Sequence, residues 1–533
     1  MKRRRLVWFV LALFLGTVPL AARGAGPAKP VRGGTLNLAT NVDFKSLDPA
    51  LMNDGQHIPL SNMLYANLLR YEGNTLSGKL VADIAASIRW APDGKAVTFV
   101  LKDGLKFSDG SPITAEDVAF SLTRILDPKT KAGYQGAFKV IAGAQEFIDG
   151  KAPAVSGLVA KDAKTIEIKL NALTPHFLHV LALSSGNVVS KKAVEANPGF
   201  QADKLVTSGA FLLKAWAPGQ SVELERNPNY HDKTKPYLDK VVFKVNVPVE
   251  TQMLMFDKGE LDVVTPVPPA EFIKLQGDAS KMKLYMKYPG PRIYYAGMNV
   301  NLPPFNQKLV RQALNYAVDK DRILQIINGR GIKMGSTLPP WMPGHDPKIK
   351  PYAYDVNKAK ELLKKAGLEK GFTADLLVPD YAYQPQVAAQ VQADLAKVGV
   401  TVNYQVQPLA TVRTQLRTPN KVPFFLLQWG TDFPDASNVI STLFNGASGL
   451  NFAYFKNPKV DELIAKADVE KDAKKRLALY NQADKIIVEE APWIFLFYGI
   501  SDGLKSAKVF PNDPSFFVDP LGSRKIDSVW KAN

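Results

Sequence analysis

Between Trp90 and Pro128 the chain places a strand, three tight turns and a capped helix in one unbroken stretch, WAPDGKAVTFVLKDGLKFSDGSPITAEDVAFSLTRILDP. Ala96–Lys102 is rich in β-branched and apolar residues, the composition of a pleated strand. Asp93-Gly94, Asp103-Gly104 and Asp109-Gly110 are turn dipeptides, because Gly takes positive φ cheaply and Asp bonds its own backbone. Thr114 ahead of Ala115-Glu116-Asp117 makes a capping-box-like start; Val118, Leu122 and Ile125 follow at helical spacing, and Asp127-Pro128 stops the helix. The same alternation continues along the chain. Strands are expected at Thr35–Ala39, Thr165–Leu170, Val241–Val245, Lys283–Tyr288, Ala374–Val378, Thr401–Val406, Phe424–Trp429 and Ile494–Tyr498. Helices are expected at Lys308–Val318, Val356–Ala366, Pro385–Val398, Pro458–Ala467 and Ala473–Glu489, with Gly367 and Gly399 at C-caps and Asn457-Pro458 as N-cap and first helical residue. This order is α/β with mixed sheets, and 533 residues exceed one ordinary core, so two or more lobes are expected.

The N-terminus reads as a secretory signal. Lys2, Arg3, Arg4 and Arg5 precede the apolar run Leu6–Leu15, too short to span a bilayer comfortably, and small residues gather at Ala21–Ala25. Cleavage is expected between Ala22 and Ala25. Cysteine is absent, so there is no disulfide framework and no site for a diacylglycerol anchor, which favours a soluble periplasmic protein over a lipoprotein. The net charge of +17 falls to +12 once the five cations Lys2, Arg3, Arg4, Arg5 and Arg23 are removed. The remaining Lys and Arg are scattered among acids with no basic-aromatic stripe, so no nucleic-acid partner is expected.

Enzyme motifs are missing: no GxSxG elbow, HExxH, Walker loop or GxGxxG occurs. Ser280-Lys281-Met282-Lys283 has bare SxxK spacing, but its SDN and KTG companions are absent and Lys283 reads as the start of a strand. His176 and His179 share one helical face, yet with no Cys and no third ligand they read as surface or satisfied histidines, and no metal or other cofactor is expected.

The Trp90–Pro128 string closely resembles the signature of the family 5 extracytoplasmic solute-binding proteins, the peptide and nickel receptors of ABC importers. Ser46-Leu47-Asp48-Pro49, Asn62–Leu69, Thr207–Phe211, Arg226–Tyr230, Gly259–Asp262 and Pro304-Phe305 leading into Val310–Leu314 continue the likeness through most of the chain. The resemblance implies a two-large-lobe periplasmic-binding-protein fold of class II type, with mixed sheets, a hinge between the lobes and a smaller inserted lobe. The division it implies is a signal peptide at 1–25, a discontinuous lobe I from 26–75, 190–290 and 490–533, an inserted lobe II at 76–189, and a lobe III at 291–489. The implied function is a monomeric periplasmic receptor that closes on a peptide, oligopeptide rather than dipeptide, and delivers it to an inner-membrane ABC permease with its ATPase subunits. The alternatives are a same-family receptor for a nickel complex, opine or oligosaccharide and, in a different class, a secreted hydrolase or chaperone.

Ligand chemistry centres on Phe424–Asn438, FFLLQWGTDFPDASN. The resemblance makes Asp432, three residues after Trp429, the anchor of the ligand's α-ammonium group and Trp429 a cleft wall, with Gly430 and Thr431 between them. The bland reading is that Asp432 stabilises a turn while Asp435 caps the helix after it. Asp54, Gln56 and His57, with Asn53 and Gly55, form a polar loop that is either a ligand contact or simply solvated. Tyr295 is either hinge packing or cleft lining, and Arg417, twelve residues before Trp429, matches a ligand-facing position in some oligopeptide receptors. Two departures bear on specificity. Leu376–Val391 contains no Arg or Lys, where dipeptide receptors of the family carry an arginine for the ligand carboxylate. Thr265–Pro269 is proline-rich, and proline has no N–H to offer a bound backbone.

Overall fold

The computed structural model describes residues 29–52, 55, 57–72, 76, 78–518 and 525–532. The expected signal peptide and cleavage region lie outside the described residues. The chain opens in a four-stranded sheet ordered Thr35–Ala39, Lys240–Lys244, Ser221–Arg226, Phe211–Ala217. Its first pair is parallel and the other two are antiparallel. A parallel pair requires a crossover, and the crossover between Ala39 and Lys240 carries a second sheet of its own. That antiparallel sheet runs Ala85–Trp90, Ala96–Leu101, Thr165–Lys169, Leu158–Ala160.

The strand and helix of the Trp90–Pro128 stretch belong to this second sheet. In Ala96–Leu101 every second side chain is buried, and Val97, Phe99 and Leu101 share a core with Val118, Leu122 and Ile125 of the helix Ala115–Leu126. The helix starts on a reciprocal capping box: the Thr114 N–H donates to Asp117 Oδ2 at 2.9 Å, and the Asp117 N–H donates to Thr114 Oγ1 at 3.4 Å. Gly94 and Gly110 sit at φ +73° and +85°, the left-handed region in which a Cβ is disfavoured.

The third and largest sheet is seven-stranded, with the order Val263–Val264, Trp493–Lys505, Tyr285–Met298, Phe424–Gly430, Phe372–Pro379, Val400–Gln407, and Gly331–Lys333 paired beside Trp493–Lys505. Tyr285–Met298 and Trp493–Lys505 are far longer than the short strands expected at Lys283–Tyr288 and Ile494–Tyr498. The reason is an irregularity. Pairing runs from Tyr285↔Leu504 to Pro289↔Ile500, breaks across Gly290–Arg292, and resumes at Ile293↔Tyr498. Pro289-Gly290-Pro291 reads as a strand end in sequence, but the two chains continue past it as a bulge. Gly290 is needed there, since a Cβ would lie 2.7 Å from the Gly499 carbonyl oxygen.

On one side of the break Met286 and Tyr288 pack into the core of the first sheet; on the other, Ile293 and Tyr295 pack against the C-terminal helices. The strand Tyr285–Met298 therefore leaves one core and enters another, and the break lies between. Among the described residues no helix is long and apolar enough to cross a membrane.

Candidate functional site: a two-chambered cleft

The strand Phe424–Gly430 is buried from Phe424 through Gln428, half-buried at Trp429 and exposed at Gly430. Its C-terminal end opens on a cavity of about 480 Å³ lined by Trp429, Gly430, Thr431, Asp432, Arg292 and Arg413, among others. The turn after the strand is tied down at each residue. Thr431 donates its N–H and hydroxyl to the Pro291 carbonyl at 3.1 and 3.3 Å. Asn438 Oδ1 accepts from Trp429 Nε1 at 3.2 Å and from the Asp432 N–H at 3.1 Å, while its amide donates to Asp432 Oδ2 at 3.4 Å. Asp435 caps the short turn of helix Ala436–Asn438, accepting from the Ser437 N–H at 2.9 Å, and is held by a buried bidentate pair with Arg476 at 2.7 Å for both bonds.

Two carboxylates three residues apart are thus treated oppositely. Arg476 holds the Asp435 carboxyl far below the usual range even though burial pushes it up. Asp432 has no cation partner among the described residues. Its other neighbour is the Tyr134 hydroxyl, reaching from the helical side of the second sheet at 3.4 Å. Burial raises the Asp432 carboxyl, and the Asn438 and Tyr134 bonds only partly offset it.

A second cavity of about 540 Å³ continues the first, sharing Gly55, Arg292 and Tyr381 with it. Thr265–Pro269 forms one wall; Tyr294 and Tyr383 also line it. In that wall Val267 donates its N–H inward to Asp502 at 3.4 Å, and Arg330 takes the Val267 carbonyl at 2.8 Å. Pro266, Pro268 and Pro269 have no N–H, so the wall presents mainly ring edges. Arg330 and Asp502 are both almost fully buried and lie 3.3 Å apart, with the Tyr285 hydroxyl donating to Asp502 at 3.1 Å.

The model of the bacterial extracellular solute-binding proteins, family 5 (middle) matches residues 79–451. The chain belongs to that family. It is 29% identical to the dipeptide-binding protein of Escherichia coli K12 over 94% of this chain and 95% of that one. It is 30% identical to the periplasmic oligopeptide-binding protein OppA of Salmonella typhimurium, covering 90% of this chain and 91% of the other. Among solved structures it matches the ABC transporter-associated periplasmic binding protein DppA of Helicobacter pylori, determined with the peptide STSA, at 28% identity and a TM-score of 0.75, covering 94% of this chain and 99% of that one. The fold is the α/β, multi-lobed fold of family 5, whose members are solute-binding receptors.

Within this family 5 chain, Trp429, Gly430, Thr431 and Asp432 come together in the first chamber. Gly55 lines both chambers, whereas Asn53, Asp54 and Gln56 lie outside the described residues. Three expected contacts are placed elsewhere. His57 is buried at the start of the helix Ile58–Leu64, its Nε2 accepting from the Lys45 N–H at 3.1 Å and its ring edge-on to Phe44. Tyr295 is core packing, stacked on Trp493 with centroids 3.6 Å apart; successive strand residues point to opposite faces, so its neighbour Tyr294 faces the second chamber. Arg417 is exposed just past the helix Leu409–Leu416 and lines neither chamber. Leu409 and Arg413, four apart on one helical face, do line the first chamber.

Arg292, Arg413 and Asn438 were not singled out by the sequence. Asn438 carries a local signal, lying six residues after Asp432 in a capped turn; Arg292 is brought in only by strand register, opposite Gly430. His176 and His179 lie half-buried beside the site, and the Nδ1 of His176 is buried without a hydrogen-bond partner among the described residues. Both rings stack on Phe433, with centroids 5.7 and 6.2 Å away, and His179 Nδ1 lies 3.2 Å from the Tyr71 hydroxyl. Burial lowers both imidazoles, that of His179 to about 4.

Proposed function

We propose that this protein is a periplasmic receptor that binds free-amine peptides in the two-chambered cleft and hands them to an inner-membrane ABC permease energised by separate ATPase subunits. Asp432 carries the reading: a part-buried carboxylate, lining a cavity, held in place by Asn438 and Tyr134, with no cation among the described residues. A ligand ammonium would supply the missing charge through charge-assisted hydrogen bonds, stronger than neutral ones. The named binding partners of the relatives, dipeptides and oligopeptides, support the same chemistry. The second chamber gives room beyond two residues, which favours oligopeptides. Its proline wall makes backbone pairing with the ligand sparse, leaving affinity to termini, side chains and bridging water.

In this reading 26–75, 190–290 and the chain beyond Gly499 move as one lobe with 76–189 attached; 291–489 moves as the other and takes Trp493–Tyr498 with it, a boundary shifted from 490 because these residues pair with Ile293–Gly297 and share their core, and the flexing point is the break at Gly290–Arg292. Ligand favours the closed arrangement because it touches both sides. The N-terminal basic and apolar segment directs export and is removed, the mature protein is a monomer without lipid anchor or cofactor, and it catalyses no reaction on its cargo. Mass spectrometry of a peptide mixture incubated with the protein should return the peptides intact; products accumulating with turnover would refute the receptor reading.

The decisive test is Asp432→Asn. Titration calorimetry should show free-amine peptides weakened about a hundredfold, the scale of one lost hydrogen bond to a charged group, while N-acetylated peptides change little. Equal, small losses for both would remove Asp432 as the ammonium anchor.

A further inference from the structure

Phe433, next to Asp432, belongs to a different core from the rest of its segment. It is buried with a cluster whose other members all lie between Ala50 and Val188, the core of the second sheet and its helices. Its ring stacks on His176 and His179 at interplanar angles of 7° and 11°, and His179 stacks in turn on Tyr71. Leu427 and Val439, on either side of it in sequence, pack instead with the C-terminal helices, and Asp435 is pinned to Arg476. One turn is thus rooted in one body and inserts a single ring into another. Smaller contacts join the same two bodies. Lys471 donates to the Pro92 carbonyl at 2.8 Å, and Gly78 lies so near Pro434 that a Cβ would sit 3.5 Å from its carbonyl oxygen. Phe433, His176 and His179 are not among the residues that line either chamber, so what holds Phe433 is separate from what would hold a ligand. The seat is also opposed. Burying a phenyl ring is favourable, whereas the unpartnered Nδ1 of His176 would recover a hydrogen bond from water if the ring withdrew. Opposing effects of similar size make a contact that can open.

We propose that Phe433 is a closure latch: seated against His176 and His179, it holds 291–489 onto 76–189 and sets the balance of open and closed forms independently of the cargo. This rests on the lobe-closing reading above. Tyr134 packs against the same core that receives Phe433 and reaches Asp432, the residue adjacent to it, so seating the ring and completing the anchor are one event. The closed form is populated according to the hold of the latch, and every ligand that needs the closed form gains or loses affinity by the same factor. Asp432 chooses the cargo, and Phe433 decides how readily the cleft shuts.

Small-angle X-ray scattering of the purified full protein, freed of co-purifying peptide, reads the balance directly. Calorimetry with Ala-Ala-Ala and its N-acetyl form reads the effect on binding. Before peptide is added, Phe433→Ala should have a larger radius of gyration than the wild type. It should bind both peptides about tenfold more weakly, by a common factor, the scale on which losing one buried ring shifts a two-state balance. His176→Phe keeps a ring in the seat and removes the stranded nitrogen. It should be more compact than the wild type and bind both peptides more tightly, a gain that general damage to the fold does not produce. Equal radii for the wild type and Phe433→Ala overturn the latch. A loss confined to Ala-Ala-Ala also overturns it, since Phe433 would then only aim Asp432. If peptide binds the wild type without contracting it, the closing reading falls and the latch with it; if peptide contracts all three proteins from one common starting radius, the latch alone falls. If neither peptide binds, the peptide reading falls and the radii still decide the latch.

Discussion

The two chambers of the cleft share Gly55, Arg292 and Tyr381, and they differ in whether the carboxylate that lines them has a cation beside it. In the second, Asp502 faces Arg330 at 3.3 Å and takes a further bond from Tyr285, and the Thr265–Pro269 wall is sewn to that pair through Val267. In the first, Asp432 has two neutral donors and no described cation, and the two arginines of the chamber carry no counterion. Burying a carboxylate is costly unless its charge is compensated, so a compensated one belongs to the architecture and an uncompensated one is held for something that arrives later. The contrast is sharpest inside one turn. Asp435 is saturated by Arg476 and Ser437, and three residues earlier Asp432 is left short.

Removing the partner of the saturated carboxylate should therefore cost the most. Arg476→Ala strands Asp435 in a buried site and should lower stability by about 3–5 kcal/mol, read from chemical denaturation. The turn carrying Asp432 loses its support with it, so ligand binding should fall as well. Asp432→Asn is the reverse case: binding is lost and stability is unchanged or higher, because an uncompensated buried charge has been removed. If the two variants lose stability equally, the distinction between architectural and reserved carboxylates fails.

Asn438→Ala tests the link between the two. It removes the acceptor shared by Trp429 Nε1 and the Asp432 N–H, and a smaller loss of about 1–2 kcal/mol is expected from the stranded donors. Free-amine peptides should weaken more than acetylated ones, because Asp432 is no longer aimed. Unchanged selectivity in that variant would mean that Tyr134 and the backbone suffice to orient it.

Local chemistry made much of the frame legible. Thr114 with Asp117, Asn457-Pro458 and the Asp-Gly turns each declare an element boundary within a few residues, and the structure places caps and left-handed glycines there. Trp429–Asp432 was legible because all four residues sit on one strand end. What stayed hidden depends on partners distant in sequence. Arg476 meets Asp435 from 41 residues away, and Arg292 reaches the site through a register that no spacing encodes. Tyr294 and Tyr295 look interchangeable until one knows which face of the strand is core. Arg417 is expected near the ligand from its position before Trp429, and the structure places it exposed just past the helix that ends at Leu416, lining neither chamber. The Pro-Gly-Pro at 289–291 reads as a terminator, and only the continued pairing of two long strands makes it a bulge.

The smallest effect, and the finest test of the comparison, is in acid. Arg476 depresses the Asp435 carboxyl, so in the folded state it resists protonation while the unfolded chain takes up a proton. Its contribution to stability is complete above the ordinary value of about 4 and is lost as pH falls below that. Asp432 runs the other way. Its carboxyl is raised, so the folded state binds the proton first, and stability increases as pH falls through the raised value toward the ordinary one. Relative to the wild type, Asp435→Asn should flatten the acid loss of stability, and Asp432→Asn should remove a gain that begins at higher pH. The loss from His179, held at about 4 against an ordinary 6.5, starts near neutrality and is common to all three proteins, so it largely cancels in the differences. Peptide affinity should follow Asp432 alone: an ammonium ligand needs the carboxylate ionised, so binding should decline at a pH above that at which an ordinary aspartate titrates, and an acetylated peptide should show no such decline. Differences of the same sign for the two variants would mean that Asp432 is compensated after all, and that the two carboxylates of the turn do the same job.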